Sequence, residues 1–196
     1  MNPTRKGKVG VMVVGHKEYW PQFKGSREGH LRNGEILEKV IGSNDVELVL
    51  YNNSSGDQMI DSPEIGNEAG EYFRAQCCDV LVVLVPLYVA SGRFMTGLLR
   101  VGCPVVLVSF GVQHDLGATP LADEFGYGGF TSLMETVQAM RRCGVDPAGV
   151  IAGQMYEDTF TFDKRFSEQL SQWCRVACCL RALRGAIFGS LGHTYE

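Results

Sequence analysis

The stretch Val80-Leu81-Val82-Val83-Leu84-Val85, between Asp79 and Pro86, is apolar at every position. A strand that is apolar on both sides of its pleat has no face left for water. The run from Asp79 to Val85 therefore predicts a central strand covered by helices on both faces. Two further runs share this character, Val9–Val14 upstream and Pro104–Phe110 downstream. Val46–Tyr51 and Ala148–Ala152 complete a set of five predicted strands. Helix-period segments alternate with them. Glu28–Ile41 places Leu31, Ile36, Leu37, Val40 and Ile41 on one face. Pro63 opens a helix to about Ala75, with Ser62 as its N-cap. Gly92–Val101 reads as a short helix, and Thr131–Cys143 as a longer one ended by Gly144. Asp163–Leu183 carries Phe166, Leu170, Trp173, Val176, Ala177 and Leu180 on one side.

Repeated β-then-α units imply parallel strands joined by right-handed crossovers. The expected fold is α/β, with a doubly wound parallel five-stranded sheet of flavodoxin/Rossmann-like type in the order 2-1-3-4-5. The connections Gly15–Arg27, Asn52–Asp61 and Gly111–Gly129 are long for a compact domain and are expected to be functional or mobile loops. After the last helix, Arg184–Gly192 reads as the first strand of a following unit, or alternatively as a sixth strand on this sheet's edge. The expected organisation is an N-terminal domain over 1–183 and the truncated start of a second domain over 184–196.

The chain has 196 residues, 18 Lys and Arg against 22 Asp and Glu, and a net charge of −4. Nucleic-acid binding selects clustered Lys and Arg, so this balance argues against it. The longest apolar run, Val80–Leu87, is strand length and far short of a membrane span. Val9–Val14 is too short for a signal peptide and has no cleavage pattern after it. A cytoplasmic location is the expectation. The seven cysteines, Cys77, Cys78, Cys103, Cys143, Cys174, Cys178 and Cys179, show no Cys-x-x-Cys spacing. Their mostly apolar neighbours predict buried, reduced thiols, with neither a metal site nor a disulfide.

In open parallel sheets, ligands bind beyond the carboxyl ends of the strands. That rule selects Gly15–Trp20, Pro86–Tyr88, Gly111–Asp115 and Gly153–Tyr156. From these segments, His16, Tyr19, Trp20, Tyr88, Gln113 and His114 are the candidate substrate-binding residues. Aromatic faces stack on sugar C–H surfaces, and His and Gln hydrogen-bond hydroxyls; such a pocket suits a small polar ligand. As loop residues, His16 and Trp20 are expected to serve the ligand and to matter little to the fold, the alternatives being that Trp20 packs the long first loop and that Tyr88 packs on a helix, while Lys17 and Glu18 read as solvated. No G-x-x-x-x-G-K-[ST] or G-x-G-x-x-G follows a strand, so a phosphate cradle is not expected. No paired carboxylates, nucleophile elbow or metal-spaced His and carboxylates appear either. Neither a catalytic nor a metal-ligating residue is therefore expected in this chain. The readings left open are part of a larger enzyme, a stand-alone flavodoxin-like small-ligand module, and a small enzyme using His16 or His114 as acid–base.

Several segments together resemble the amino-terminal portion of the L-fucose/L-arabinose isomerase superfamily. The loop Val14-Gly15-His16-Lys17-Glu18-Tyr19-Trp20 is similar to that family's first loop. The region from Cys78 through Leu98, with its turn Val89-Ala90-Ser91-Gly92-Arg93-Phe94-Met95, looks like its third strand and turn. Cys103-Pro104 and Trp173-Cys174-Arg175-Val176-Ala177 are similar to later segments, and Leu183–Gly189 falls where the family begins its next domain. The resemblance implies the N-terminal, Rossmann-like domain of a metal-dependent aldose–ketose sugar isomerase. It implies substrate-pocket and subunit contacts here, and in the full-length enzyme a homo-oligomer with Mn2+ and acid–base carboxylates that lie outside this chain.

Overall fold

The computed structural model describes residues 6–113, 128–156 and 161–187, together with Gly189 and Gly192. In chain order the elements are β1 (Lys8–Val14), α1 (Ser26–Gly42), β2 (Glu47–Leu50), β3 (Met59–Ile60), α2 (Pro63–Ala75), β4 (Val80–Leu84), α3 (Met95–Leu98), β5 (Val105–Gln113), α4 (Gly128–Arg142), β6 (Gly149–Tyr156), β7 (Thr161–Phe162) and α5 (Lys164–Arg184). Short 3-10 turns occupy Lys17–Tyr19 and Ser91–Arg93.

The architecture is α/β with a mostly parallel sheet. The strand order is β2-β1-β4-β5-β6-β7, and β3 pairs with the far end of β1. All pairings are parallel except the antiparallel β6–β7 contact, Met155 with Phe162 and Tyr156 with Thr161. The expectation of five parallel strands is thus corrected: among the described residues the sheet has seven strands and is mixed. β3 and β7 contain two residues each, too few to show a period-2 pattern.

β4 is buried at every position. Its alternate side chains enter two apolar clusters. Leu81 and Val83 join Met12 and Val14 of β1 and meet Phe73 of α2, Leu98 of α3 and Met140 of α4. Val80, Val82 and Leu84 join Val9, Val11 and Val13 and meet Leu37 and Ile41 of α1 and Phe166 and Leu170 of α5. The 3.6-residue spacing read from the sequence supplies the α1 face and most of the α5 face; Val176, expected on the α5 face, is instead exposed, because it falls at the edge of the stripe that packs on the sheet. Ser62 caps α2 by accepting from the Ile65 N–H at 3.4 Å, and Asp163 caps α5 by accepting from Phe166 N–H at 3.0 Å.

Asp79, at the entry to β4, is completely buried as a carboxylate. It accepts from the Lys8 N–H at 2.8 Å, from Arg181 Nε at 2.8 Å and from Arg184 Nη1 at 2.9 Å. The arginines also donate to the Cys77 and Cys78 carbonyls. A buried charge so fully partnered fixes the end of α5 to the start of the sheet. Arg184 closes α5, so it is helical where a strand is expected to open. Phe188, Ser190 and Leu191 of that expected strand, and residues 193–196 after it, lie outside the described residues.

Other differences are local. The expected helix over Gly92–Val101 is split into the 3-10 turn and α3. β5 and β6 run past Phe110 and Ala152, so Gly111–Gln113 and Gly153–Tyr156 are strand rather than loop. All seven cysteines are free, but only Cys78 and Cys174 are buried, and Cys77, Cys143 and Cys179 are exposed. Burial pushes the Cys78 thiol up to about 12, which makes it a poor nucleophile.

The segment between β4 and β5 sits where it does because three glycines let it. A Cβ on Gly97 would strike the Gly66 carbonyl oxygen, and one on Gly70 would lie 2.5 Å from the Gly97 carbonyl oxygen. Both obstacles are backbone, so neither can swing aside. Gly97→Ala is expected to cost about 2 kcal/mol or more in urea unfolding, as overpacking does. Gly92→Ala, whose added methyl meets nothing within 4 Å, is the control and is expected to stay within about 0.5 kcal/mol of the parent.

Candidate functional site

The carboxyl edge of the sheet gathers the segments that follow β1, β3 and β4. Gly15 leaves β1 with its N–H donating to the Ile60 carbonyl at 2.8 Å, which ties the first loop to β3. A side chain at Gly15 would strike Met59 Sδ and would lie 2.6 Å from the Trp20 ring. The indole thus lies directly over the glycine. Trp20 Nε1 donates to Asp61 Oδ2 at 2.7 Å, and its ring packs against both apolar clusters. This corrects the expectation that Trp20 matters little to the fold. It anchors the loop, and its truncation removes apolar contact and a partly buried hydrogen bond together.

His16 and Tyr19, brought together by the 3-10 turn between them, stack face to face with centroids 4.2 Å apart and planes 11° apart. His16 Nδ1 is 2.8 Å from Glu18 Oε2, yet the oxygen lies off the N–H direction and the nitrogen has no hydrogen-bond partner. The same Glu18 oxygen is 2.7 Å from Arg93 Nη2. The hydrogen bond from Arg93 holds the Glu18 carboxyl below its ordinary range. Arg93 Nη1 also donates to the Asp61 carbonyl at 3.2 Å. Glu18, expected to be merely solvated, is therefore part of a bridge between loops that are far apart in sequence.

Tyr88 is half-buried beside α4. The negative charge of Glu135 raises its phenol, and the Tyr19 phenol adds a smaller effect in the same direction. The backbone next to Tyr88 is clamped from below. Ser132 Oγ receives the Val89 N–H at 2.9 Å and donates to the Val89 carbonyl at 2.5 Å. Ser109 Oγ donates to the Val85 carbonyl at 2.8 Å. A shallow depression lined by Ser91, Met134, Glu135, Gln138 and Arg142 adjoins Tyr88 through Glu135. It contains none of the six candidate residues.

The structure thus groups His16, Tyr19 and Trp20 on one loop, with Tyr88 near Tyr19. Gln113 ends β5 opposite Tyr156. His114 lies outside the described residues. Glu18, Asp61, Arg93, Glu135 and Ser132 were not candidates in the sequence. Glu18 stood beside His16 and invited attention; the others are joined to the loop only by the fold.

No family model matches the chain, and no curated protein matches it.

The arrangement offers ring faces, a phenol, an ionised carboxylate and a guanidinium over a small area, a set suited to hydroxyl-rich ligands. Among the described residues no three His, Cys, Asp or Glu side chains converge so as to hold a metal ion. No helix among them is long and apolar enough to cross a membrane.

Behind Trp20 lies His30 of α1, its ring 6.3 Å from the indole and its Nε2 3.1 Å from Ser26 Oγ. It is buried, its Nδ1 has no partner, and burial pushes its pKa from 6.5 to about 4. The folded protein therefore resists protonating a group that the unfolded chain protonates freely. Stability from this source is complete above about pH 6.5 and falls as the pH drops toward 4. Between about pH 7.5 and pH 5 the loss is expected to be about 2 kcal/mol in denaturant unfolding. His30→Gln, which keeps a partner for Ser26 without titrating, is expected to remove that part of the pH dependence; an unchanged slope would show that His30 is not its source.

Proposed function

We propose that this chain is the sugar-contacting N-terminal domain of a metal-dependent aldose–ketose isomerase similar to the L-fucose/L-arabinose isomerases. The observation that carries the reading is the His16–Tyr19 stack beside the Glu18–Arg93 pair, at the edge where parallel sheets bind ligands. On this reading the sheet is a doubly wound, flavodoxin-like one, with β3 and β7 as short additions to five longer strands. His16 and Tyr19 present a face and polar atoms to the sugar. Tyr88 offers a hydroxyl, and Gln113, the last residue of β5, and His114, next in the sequence, belong to the same proposed set. Trp20 holds the loop that carries the first two. The manganese ion and the acid–base carboxylates belong to parts of the enzyme outside residues 1–196, so no catalytic step is assigned to a side chain of this domain. Subunit contacts, a homo-oligomeric full-length enzyme and a cytoplasmic setting belong to the same reading.

Calorimetric titration tests it. L-Fucose or L-arabinose is expected to bind the 196-residue chain weakly, with Kd in roughly the millimolar range, about −4 kcal/mol. Tyr19→Ala is expected to weaken that binding by about tenfold, or 1.4 kcal/mol. Neither sugar is expected to be converted to its isomer by the chain, with or without manganese. Turnover above a metal-only blank would place a catalytic centre inside the chain. Absence of binding by any aldose or ketose would remove the sugar reading.

A further inference from the structure

Arg93 reaches two loops at once. Its side chain is only 19% exposed although it begins on a surface 3-10 turn. Nη2 is 2.7 Å from Glu18 Oε2 on the loop after β1, and Nη1 is 3.2 Å from the Asp61 carbonyl on the loop after β3. Asp61 is also the residue whose carboxylate receives the Trp20 indole N–H. The chain of contacts therefore closes on itself. Arg93 holds Glu18 and Asp61, Asp61 holds Trp20, and Glu18 and Trp20 flank Tyr19, on which His16 stacks.

The backbone under Arg93 is equally fixed. A Cβ on Gly66 of α2 would strike the Arg93 carbonyl oxygen. The guanidinium thus swings from a platform locked to α2, and its planar fork spends one nitrogen on each loop. A lysine has a single ammonium on a flexible stem and cannot hold both positions with the same geometry. Glu18 is 48% exposed and would be free to turn into solvent without this cation. Its other close partner, His16, is poorly aligned to hold it.

We propose that Arg93 is a positioning residue for the candidate site, acting through Glu18 and Asp61 to set the His16–Trp20 loop in its ligand-ready geometry. The proposal rests on the sugar-binding reading for the identity of the ligand, but the positioning itself is measurable without one. It assigns Arg93 no contact with a reacting atom.

The test uses the 196-residue chain with Arg93→Ala, Arg93→Lys, Glu18→Gln and the Arg93→Ala/Glu18→Gln double variant. The first readout is the exchange rate of the Trp20 indole N–H by NMR, where its signal is separate from that of Trp173. Both single substitutions are expected to speed exchange by about tenfold or more, as local opening does. The double variant is expected to match the faster single, because both changes break one linkage. Arg93→Lys is expected to fall between parent and alanine. The second readout is Kd for L-fucose and L-arabinose, expected to weaken by about tenfold in Arg93→Ala and to recover in part with lysine. If Arg93→Ala fails to fold, the exposed Glu18→Gln change carries the exchange test alone. Unchanged indole exchange in a folded variant, or additive effects in the double variant, would overturn the proposal. Faster exchange in a chain whose parent binds no sugar would leave the positioning role standing and refute the sugar reading.

Discussion

The burial of β4 on both faces is the constraint from which the rest of this structure follows. Five consecutive residues, Val80 to Leu84, have no solvent-facing side. Each face must therefore be covered, and α2, α3 and α4 take one side while α1 and α5 take the other. β1 and β5 flank β4 in parallel, so their carboxyl ends emerge at a common edge. The opposite edge carries the buried Asp79 carboxylate and its two arginines. One end of the sheet is thereby closed by charge-assisted hydrogen bonds, and the other is left to the loops.

Those loops are ordered by a few long-range contacts. Gly15 gives the indole of Trp20 a place to lie, and Asp61 receives its N–H. Arg93 supplies the cation that pairs with the exposed Glu18 carboxylate and lowers its pKa. The His16–Tyr19 stack rests on this frame. Its polar groups are consequently held rather than free to adapt, which lowers the ordering cost of binding a small ligand.

Much of the framework was legible in the sequence. The apolar runs gave β1, β2 and β4 to within about a residue or two, the ordinary scatter of element ends; the α1 face and, Val176 apart, the α5 face followed from spacing, and Ser62 and Pro63 marked the start of α2. The reading stopped where the signal is physically short or broken. Two-residue strands such as β3 and β7 show no period. Gly111, Gln113, Gly153 and Gln154 look like loop residues, yet pairing between β5 and β6 carries both strands through them. Phe94, buried between the 3-10 turn and α3, marks a break that apolar spacing alone hides. For the site, the rule that ligands lie beyond strand carboxyl ends singled out the His16–Trp20 loop and Tyr88. It left open whether Trp20 meets a ligand or packs the loop, because its partner Asp61 is 41 positions away. Arg93 and Glu18 were equally invisible as a pair, since only the crossover between β1 and β4 brings them together.

On the proposed reading, a hydroxyl-rich ligand sits on the face formed after β1. Mapping amide and side-chain chemical shifts during titration with L-fucose or L-arabinose tests it most directly. The largest changes are expected on His16, Tyr19 and Tyr88, with smaller ones at Glu18 and Arg93 and little at α5. Changes concentrated instead in the depression around Ser91, Gln138 and Arg142, or spread over the opposite edge near Asp79, would contradict it.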